Sequence, residues 1–144
     1  MISVGEHLPS LEVKVRARHV VMGASSSRDW QPQHHDTHWA VERVKVKDIF
    51  LNTPNQAGWI ERYLTDWTGP KGRLGKLRFK MKRSICAGET VRFDATVTGV
   101  DSGWVDLDVV LTVEGDVATE CTARIAVPVN DDDPWQRRGN EWRP

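Results

Sequence analysis

The chain has 144 residues, enough for one domain with a hydrophobic core and too few for two ordinary domains. Its 20 lysine and arginine residues balance 20 aspartate and glutamate residues, so no net charge directs it to nucleic acid or to an anionic membrane. The first twenty residues contain no long apolar run, so we expect no secretory signal, no membrane span and a cytoplasmic location.

The N-terminal half predicts a strand, a loop and one long helix. Apolar and charged residues alternate over Leu11–Val21, which predicts a first strand. Glycine and serine residues at 23–27 interrupt that pattern and predict that residues 29–36 lie on a loop. A short helix is expected over Thr37–Val41. The clearest helical pattern runs from Asn55 to Trp67, where apolar residues recur at three- and four-residue steps.

Capping residues mark both ends of this long helix. Thr53 or Asn55 can serve as the N-cap, and Pro54 suits the first turn, where a missing N–H does no harm. Gly69 and Pro70 are expected to stop the helix, because glycine favours the C-terminal cap and proline cannot continue the helix. The helix therefore has a defined beginning and end.

The C-terminal half changes to a period of two, which predicts consecutive strands joined by short turns. The strand patterns cover 77–81, 91–97, 105–113 and 121–129, and the turns fall at 87–89, 101–103 and 114–116. One strand, a long helix and then several strands describe an antiparallel sheet wrapped around a single helix, an α+β fold. We expect this domain to span residues 1–130. Residues 131–144 have few apolar side chains and are predicted to be mobile or to dock on a partner.

The candidate chemistry lies in residues 29–36. Asp29 precedes His34 by five positions, across a turn that Pro32 restrains. A carboxylate and an imidazole that converge on one small molecule can remove a proton from water and deliver a proton to carbon. The spacing alone leaves open a structural turn with a hydrogen-bonded histidine.

A metal site in the same stretch is a second interpretation. The residues His34, His35, Asp36 and His38 are of the types that bind zinc. Adjacent histidines point in different directions on most backbones, however, and no distant fourth ligand is indicated. We therefore expect no metal. Cys86 and Cys121 lack the close spacing of a metal or redox motif and are expected to be reduced, partly buried thiols.

Two further patterns keep two interpretations each. The basic residues between Lys71 and Arg83 could contact the phosphates of coenzyme A or form a solvated strand face. The stretch lacks interleaved aromatic residues on which bases could stack, so no nucleic acid partner is expected. Four tryptophans could line a pocket for a bulky acyl group or fill the core and subunit interfaces: Trp30, Trp39, Trp59 and Trp67.

Several segments together resemble the MaoC-like hydratase/dehydratase family over about residues 4–128. They are Val4–Pro9, the Asp29, Pro32, His34 and Asp36 pattern, the helix that contains Gly58, and Ile85–Val91. More narrowly, the segments Arg28–Asp36, Lys47–Asn52 and Arg62–Pro70 resemble the small subunits of actinobacterial steroid side-chain hydratases, which pair with a second MaoC-like chain.

The resemblance implies a hotdog fold that reversibly hydrates a 2-enoyl-coenzyme A thioester with R stereochemistry. It implies catalytic roles for Asp29 and His34, without deciding which is the base, and an oxyanion-binding backbone amide at Gly58, in the first turn of the predicted helix. Substrate-binding positions are expected at Trp30, Gln31, Asn52 and Trp59. Coenzyme A enters as part of the substrate, so no separate cofactor is expected.

Partners and departures follow from the same resemblance. The acyl group is expected to be bulky and steroid-derived, and the partner to be a second MaoC-like subunit or an identical chain. The alternative is a non-catalytic hotdog subunit that completes another chain's pocket. Gln31 replaces an asparagine common in the family, and Ala57 stands where a histidine often precedes the helix glycine. These departures bear on substrate shape.

Overall fold

Five antiparallel strands form one sheet in the order β1-β3-β4-β5-β2, in a computed structural model that describes residues 1–144. The strands are β1 (Leu11–Lys14), β2 (Arg73–Met81), β3 (Thr90–Asp101), β4 (Trp104–Val113) and β5 (Asp116–Ala126). The helices are α1 (Ala17–Ser26), α2 (Thr37–Trp39, continued as a π-helical turn over Ala40–Val44) and α3 (Thr53–Thr68), with 3₁₀ turns at Pro32–His34 and Gly139–Glu141. No helix is both long and apolar enough to cross a membrane.

Helix α3 is the long central helix, and the sheet wraps around it. Its apolar stripe is buried at Ile60 and Leu64, which pack in the same core as the inward side chains of the sheet. The helix begins two residues earlier than predicted, because the side chain of Asn52 caps it and accepts a hydrogen bond from the Asn55 amide at 3.0 Å. It ends at Gly69, where φ is 73°, as the sequence predicts. The predicted α+β hotdog architecture is confirmed.

The strands bury alternate side chains against α3. In β3 the inward positions include Val91, Phe93 and Val97, each at most 1% exposed. Tight turns at 102–103 and 114–115 place both central residues at positive φ, which matches the twist of a hairpin. The second turn starts β5 at Asp116, so the strand predicted over 121–129 begins and ends earlier than expected.

The first predicted strand is correct only in its first part. It ends at Lys14, and α1 begins at Ala17, so the second half of Leu11–Val21 and the small residues at 23–27 are mostly helical. Val20 and Ala24, four residues apart, are fully buried on one face of α1, and this helical spacing outweighs the short alternation before it. The candidate loop therefore follows a helix and not a strand.

The C-terminal residues 131–144 contact their own chain. The Arg137 guanidinium pairs with the buried carboxylate of Asp133, and the Trp142 ring lies 5.0 Å from that of Trp104. The guanidinium of Arg73, at the start of β2, lies 3.6 Å from the Trp142 ring centroid. The segment adds no residue to the main core cluster, and its mobility and partner docking stay predictions.

Candidate active site

Asp29 and His34 converge on one side of the bend that follows α1. The Asp29 backbone amide donates to the Ala24 carbonyl at 2.9 Å, which holds the backbone of Asp29 against the end of the helix. The 3₁₀ turn Pro32–His34 brings the imidazole back, so that His34 Nε2 lies 3.4 Å from Asp29 Oδ2. Five residues and one proline-containing turn are therefore enough to form the pair.

The His34 ring is buried and its tautomer is fixed by the backbone. Nδ1 lies 2.7 Å from the Phe50 carbonyl oxygen, and the ring meets the Phe50 ring edge-on at 4.9 Å. A carbonyl oxygen can only accept, so Nδ1 carries the proton. In the neutral ring, Nε2 then presents a lone pair toward Asp29. That arrangement suits a group that receives a proton.

The Asp29 carboxylate is oriented by two donors. Oδ1 accepts from the Gln31 amide at 3.1 Å, and Oδ2 accepts from the Asn52 side-chain amide at 3.0 Å. The hydrogen bond from Asn52 is the main cause that holds the pKa of Asp29 below its ordinary value, against the opposing effect of burial. Asp29 is therefore ionised at neutral pH and is a weak base.

Both groups face a cavity of about 360 Å³ that lies between the start of α3 and the end of β2. Charged, polar and apolar residues form its wall: Asp29, His34, Phe50, Leu51, Asn52, Thr53, Pro54, Gln56, Met81, Lys82, Arg83 and Ser84. A larger depression of about 730 Å³ on the outer face of the sheet contains neither Asp29 nor His34. The smaller cavity is therefore the one that can bring a substrate to this pair.

The first turn of α3 leaves one backbone amide without a partner, on a residue that lines the cavity. The Asn55 amide is bound by the Asn52 side chain, the Gln56 amide by the Asn52 carbonyl, and Pro54 has no N–H. The Thr53 amide has no acceptor within the protein. A free amide at a helix start carries partial positive charge and attracts a developing oxyanion.

Comparison with known proteins places the chain in a family. No protein-family model matches the chain. The 3-oxo-4,17-pregnadiene-20-carboxyl-CoA hydratase beta subunit of Mycobacterium tuberculosis is 36% identical over 110 residues, which are 76% of this chain and 84% of that protein. The chain belongs to the MaoC-like hydratase/dehydratase family.

Solved structures agree with this assignment. A chain of the ChsH1–ChsH2 complex from Mycobacterium tuberculosis superposes with a TM-score of 0.85 at 31% identity, over 89% of this chain and all of that one. The MaoC-like dehydratase from Rhodospirillum rubrum superposes with a TM-score of 0.73 at 18% identity, over 88% and 92% of the two chains, and shows the shared hotdog fold.

Gly58 does not lie in the first turn of the helix as predicted, and its oxyanion-binding role stays a prediction. Because α3 begins at Thr53, Gly58 lies in the second turn, where amides bond to the carbonyl four residues earlier. Gly58 is exposed and does not line the cavity. The sequence signal for the free Thr53 amide is the pair Thr53 and Pro54 directly before the apolar stripe, a pattern that also fits helix capping alone.

The other expected substrate-binding residues are dispersed. Trp30 is 69% exposed and stacks on the His35 ring, Gln31 contributes its backbone amide to Asp29, and Trp59 meets the His19 ring edge-on at 5.5 Å. Only Asn52, which is 3% exposed, lines the cavity. Gln56 was missed, since nothing in its local sequence indicates a site. Arg83, which also lines the cavity, ends the basic stretch for which contact with coenzyme A phosphates was one interpretation. None of the seven tryptophans lines this cavity.

The neighbouring histidines of the bend point apart. His35 Nε2 lies 2.7 Å from the Asp29 backbone oxygen, whereas His34 faces the Phe50 carbonyl. No three His, Cys, Asp or Glu side chains are grouped in a way that could hold a metal ion. Cys86 and Cys121 are both free and buried. Lys76, Arg78 and Lys80 of β2 are exposed along an edge of the sheet, whereas Arg73 is half-buried.

Proposed function

We propose that the chain hydrates a 2-enoyl-coenzyme A thioester reversibly, with Asp29 and His34 as the catalytic pair. The observation that carries the proposal is the 3.4 Å separation of His34 Nε2 and Asp29 Oδ2 on one cavity wall, beside the free Thr53 amide. Membership of a hydratase and dehydratase family supports the same reaction class. The three groups match what the addition of water to a conjugated thioester requires.

A water molecule on the cavity side of the two groups can donate one hydrogen to each of them. Nε2 of the neutral imidazole and Oδ2 of the carboxylate are both acceptors, so neither can donate to the other. When the water oxygen bonds to C3, its proton passes to Nε2, because the lowered pKa of Asp29 makes the carboxylate the weaker base. The imidazolium then returns that proton to C2 on the same face, so the atoms of one water are added in full.

The thioester oxygen gains negative charge while C3 is attacked. In our proposal the Thr53 amide takes the role that the family resemblance suggested for Gly58, because Thr53 has the free N–H on the cavity wall. One such donor typically contributes ~10² to 10³ in rate. Thr53→Pro removes this N–H at the first helical position, where proline is tolerated, and is the direct test.

A second subunit is proposed to complete the binding site. Strand β2 pairs only with β5 and leaves its other edge open, and β2 contributes Met81, 42% exposed, to the cavity. A steroid-sized acyl group and the pantetheine arm together exceed a cavity of about 360 Å³. The similar chain of known structure comes from a two-protein complex, and the 36% identical relative is named for a steroid-derived thioester.

The test is a hydration assay across a panel of 2-enoyl-coenzyme A thioesters, from crotonyl to steroid-sized acyl groups. The chain is assayed alone and together with the second MaoC-like chain of its source. We expect turnover with the complex, preference for bulky acyl groups, and loss of ~10² to 10⁴ in kcat for Asp29→Asn at unchanged folding. Absence of hydration across the whole panel in the complex would refute the proposal.

The alternative function is a non-catalytic partner that completes another chain's pocket. The observation that favours it is the open β2 edge next to a small cavity. It predicts that a complex carrying Asp29→Asn turns over at the wild-type rate, whereas substitutions on β2 that prevent assembly abolish turnover. The two functions therefore give opposite results with one variant.

A further inference from the structure

Asn52 joins the start of α3 to the candidate carboxylate through a fully used side chain. Oδ1 accepts from the Asn55 amide at 3.0 Å, and Nδ2 donates to Ser27 Oγ and to Asp29 Oδ2, both at 3.0 Å. Both N–H groups and the carbonyl are thus engaged within the protein. The side chain keeps no N–H for a substrate, which argues against the expected substrate-binding role of Asn52.

The helix start fixes which way the Asn52 amide faces. The Asn55 amide can only donate, so Oδ1 must be the atom beside it, and Nδ2 must then be the atom beside Asp29. Because Asn52 is 3% exposed, it has little space to turn. The N-cap of α3 therefore sets the donor that the carboxylate receives.

We propose that Asn52 is a positioning residue, which keeps the Asp29 carboxylate turned toward His34 by way of the α3 cap. This inference rests on the proposed hydration chemistry for its effect on rate. With Oδ1 of Asp29 held by the Gln31 amide and one lone pair of Oδ2 held by Asn52, the remaining lone pair faces His34 Nε2 at 3.4 Å. That lone pair is the one available to water.

Imidazole and cationic side chains lie near Asp29, but the Asn52 hydrogen bond lowers its pKa the most. His34 and His35 stand on the same bend, and Lys82 and Arg83 line the same cavity. Neither cation pairs with Asp29, since Lys82 pairs with Glu120 and Arg83 with Glu89. Among the causes of the lowered pKa of Asp29, the Asn52 hydrogen bond is the largest, ahead of both imidazoles. A neutral donor, and not a counter-ion, is thus the main cause of the lowered pKa of Asp29.

Asn52→Asp isolates this role because it keeps the helix cap. Aspartate at the N-cap also accepts from the Asn55 amide and is favoured by the helix dipole. It replaces the N–H beside Asp29 with a carboxylate oxygen, and two carboxylates in contact raise the pKa of one of them. The added negative charge also favours the imidazolium form of His34. We expect the acid limb of the kcat profile to move up by about one pH unit or more.

The kinetic result separates positioning from binding. We expect kcat at neutral pH to fall ~10²-fold with KM changed by less than about twofold, because Asn52 acts on a catalytic group and not on the substrate. Asn55→Asp is the matched control, since it adds a carboxylate at the same helix start but beside the His19 carbonyl. It should lower the unfolding temperature without moving the acid limb.

Two kinetic outcomes overturn the inference. One is an Asn52→Asp profile whose acid limb stays in place, and the other is a raised KM at unchanged kcat. Titration of the Asp29 carboxyl carbon by NMR, in the wild type and in Asn52→Asp, needs no turnover. If the wild type hydrates no thioester, the proposed function fails, and this titration still decides the role of Asn52. A raised Asp29 pKa in the variant supports it, and an unchanged pKa refutes it.

Discussion

Substitution of Gly23 by alanine tests how α1 is held against α3 behind the candidate site. A Cβ at Gly23 would lie 2.0 Å from Asn55 Nδ2 and 2.3 Å from its Cγ, far inside contact distance. The Asn55 side chain would have to move and give up its 2.9 Å hydrogen bond to the His19 carbonyl. Glycine at this position is therefore required by the close approach of the two helices.

The expected loss of stability in Gly23→Ala follows from three effects. Overpacking costs ~1 to 3 kcal/mol and the lost hydrogen bond ~1 kcal/mol, while alanine in place of glycine within a helix returns ~1 kcal/mol. We expect Gly23→Ala to lower the free energy of unfolding by ~1 to 3 kcal/mol, which is a fall of roughly 3 to 10 °C in Tm for a chain of this size.

The assay is a double-mutant cycle by thermal and urea unfolding, with Asn55→Ala as the second substitution. Removing the Asn55 amide removes the clash, so Gly23→Ala should be neutral or stabilising by up to ~1 kcal/mol in that background. If Gly23→Ala destabilises both backgrounds equally, the contact with Asn55 is not the cause and the reasoning is refuted.

Four further outcomes can be checked on the same protein. Glu89→Gln should lower the free energy of unfolding by ~2 to 3 kcal/mol in urea titrations, because the buried carboxylate accepts from the Cys86 amide at 2.8 Å and pairs with Arg83. Although burial opposes it, these bonds hold the pKa of Glu89 below its ordinary value. The stabilisation is therefore present above the unfolded-state pKa and is lost as the pH falls through the folded-state pKa. The Glu89→Gln variant should accordingly show a shallower acid dependence of Tm. Gly58→Ala should raise stability by ~1 kcal/mol with unchanged turnover, because an added Cβ there meets no atom within 4 Å; a large loss of kcat would return the oxyanion site to Gly58. Burial raises the pKa of Cys121 to about 12, so this thiol should resist alkylation at neutral pH until the chain unfolds, and rapid labelling of the native protein would contradict its burial.

The parts of the fold that sequence periodicity predicted are those with many repeats of one pattern. Helix α3 and strand β3 each carry several buried positions at one spacing, and both were located closely. Residues 11–21 carry too few repeats to separate a period of two from a helix, so α1 was taken for the continuation of β1. The Asn55 side chain that donates to the His19 carbonyl of α1 is distant in sequence, so this contact could not be predicted locally.

The candidate site, like the fold, could be predicted from the sequence only in part. Asp29 and His34 lie on one local bend, so their convergence could be expected from the sequence. The role of Asn52 could not, since it depends on a cap at α3 and on a carboxylate 23 residues earlier. The family resemblance suggested the amide of Gly58, in the first turn of the predicted helix. The helix begins at Thr53, so Gly58 lies in its second turn.

The central claim is that His34 Nε2 and Asp29 Oδ2 share one water molecule, and a kinetic double-mutant cycle tests it most directly. The hydration rate of the preferred thioester is measured for the wild-type complex, Asp29→Asn, His34→Gln and the double variant, with folding checked by circular dichroism. Groups that act as a unit are not additive, so each single variant should lose ~10² to 10⁴ in kcat and the double variant little more than the worse single variant. Wild-type turnover in either single variant, or losses that multiply fully in the double variant, would contradict the account.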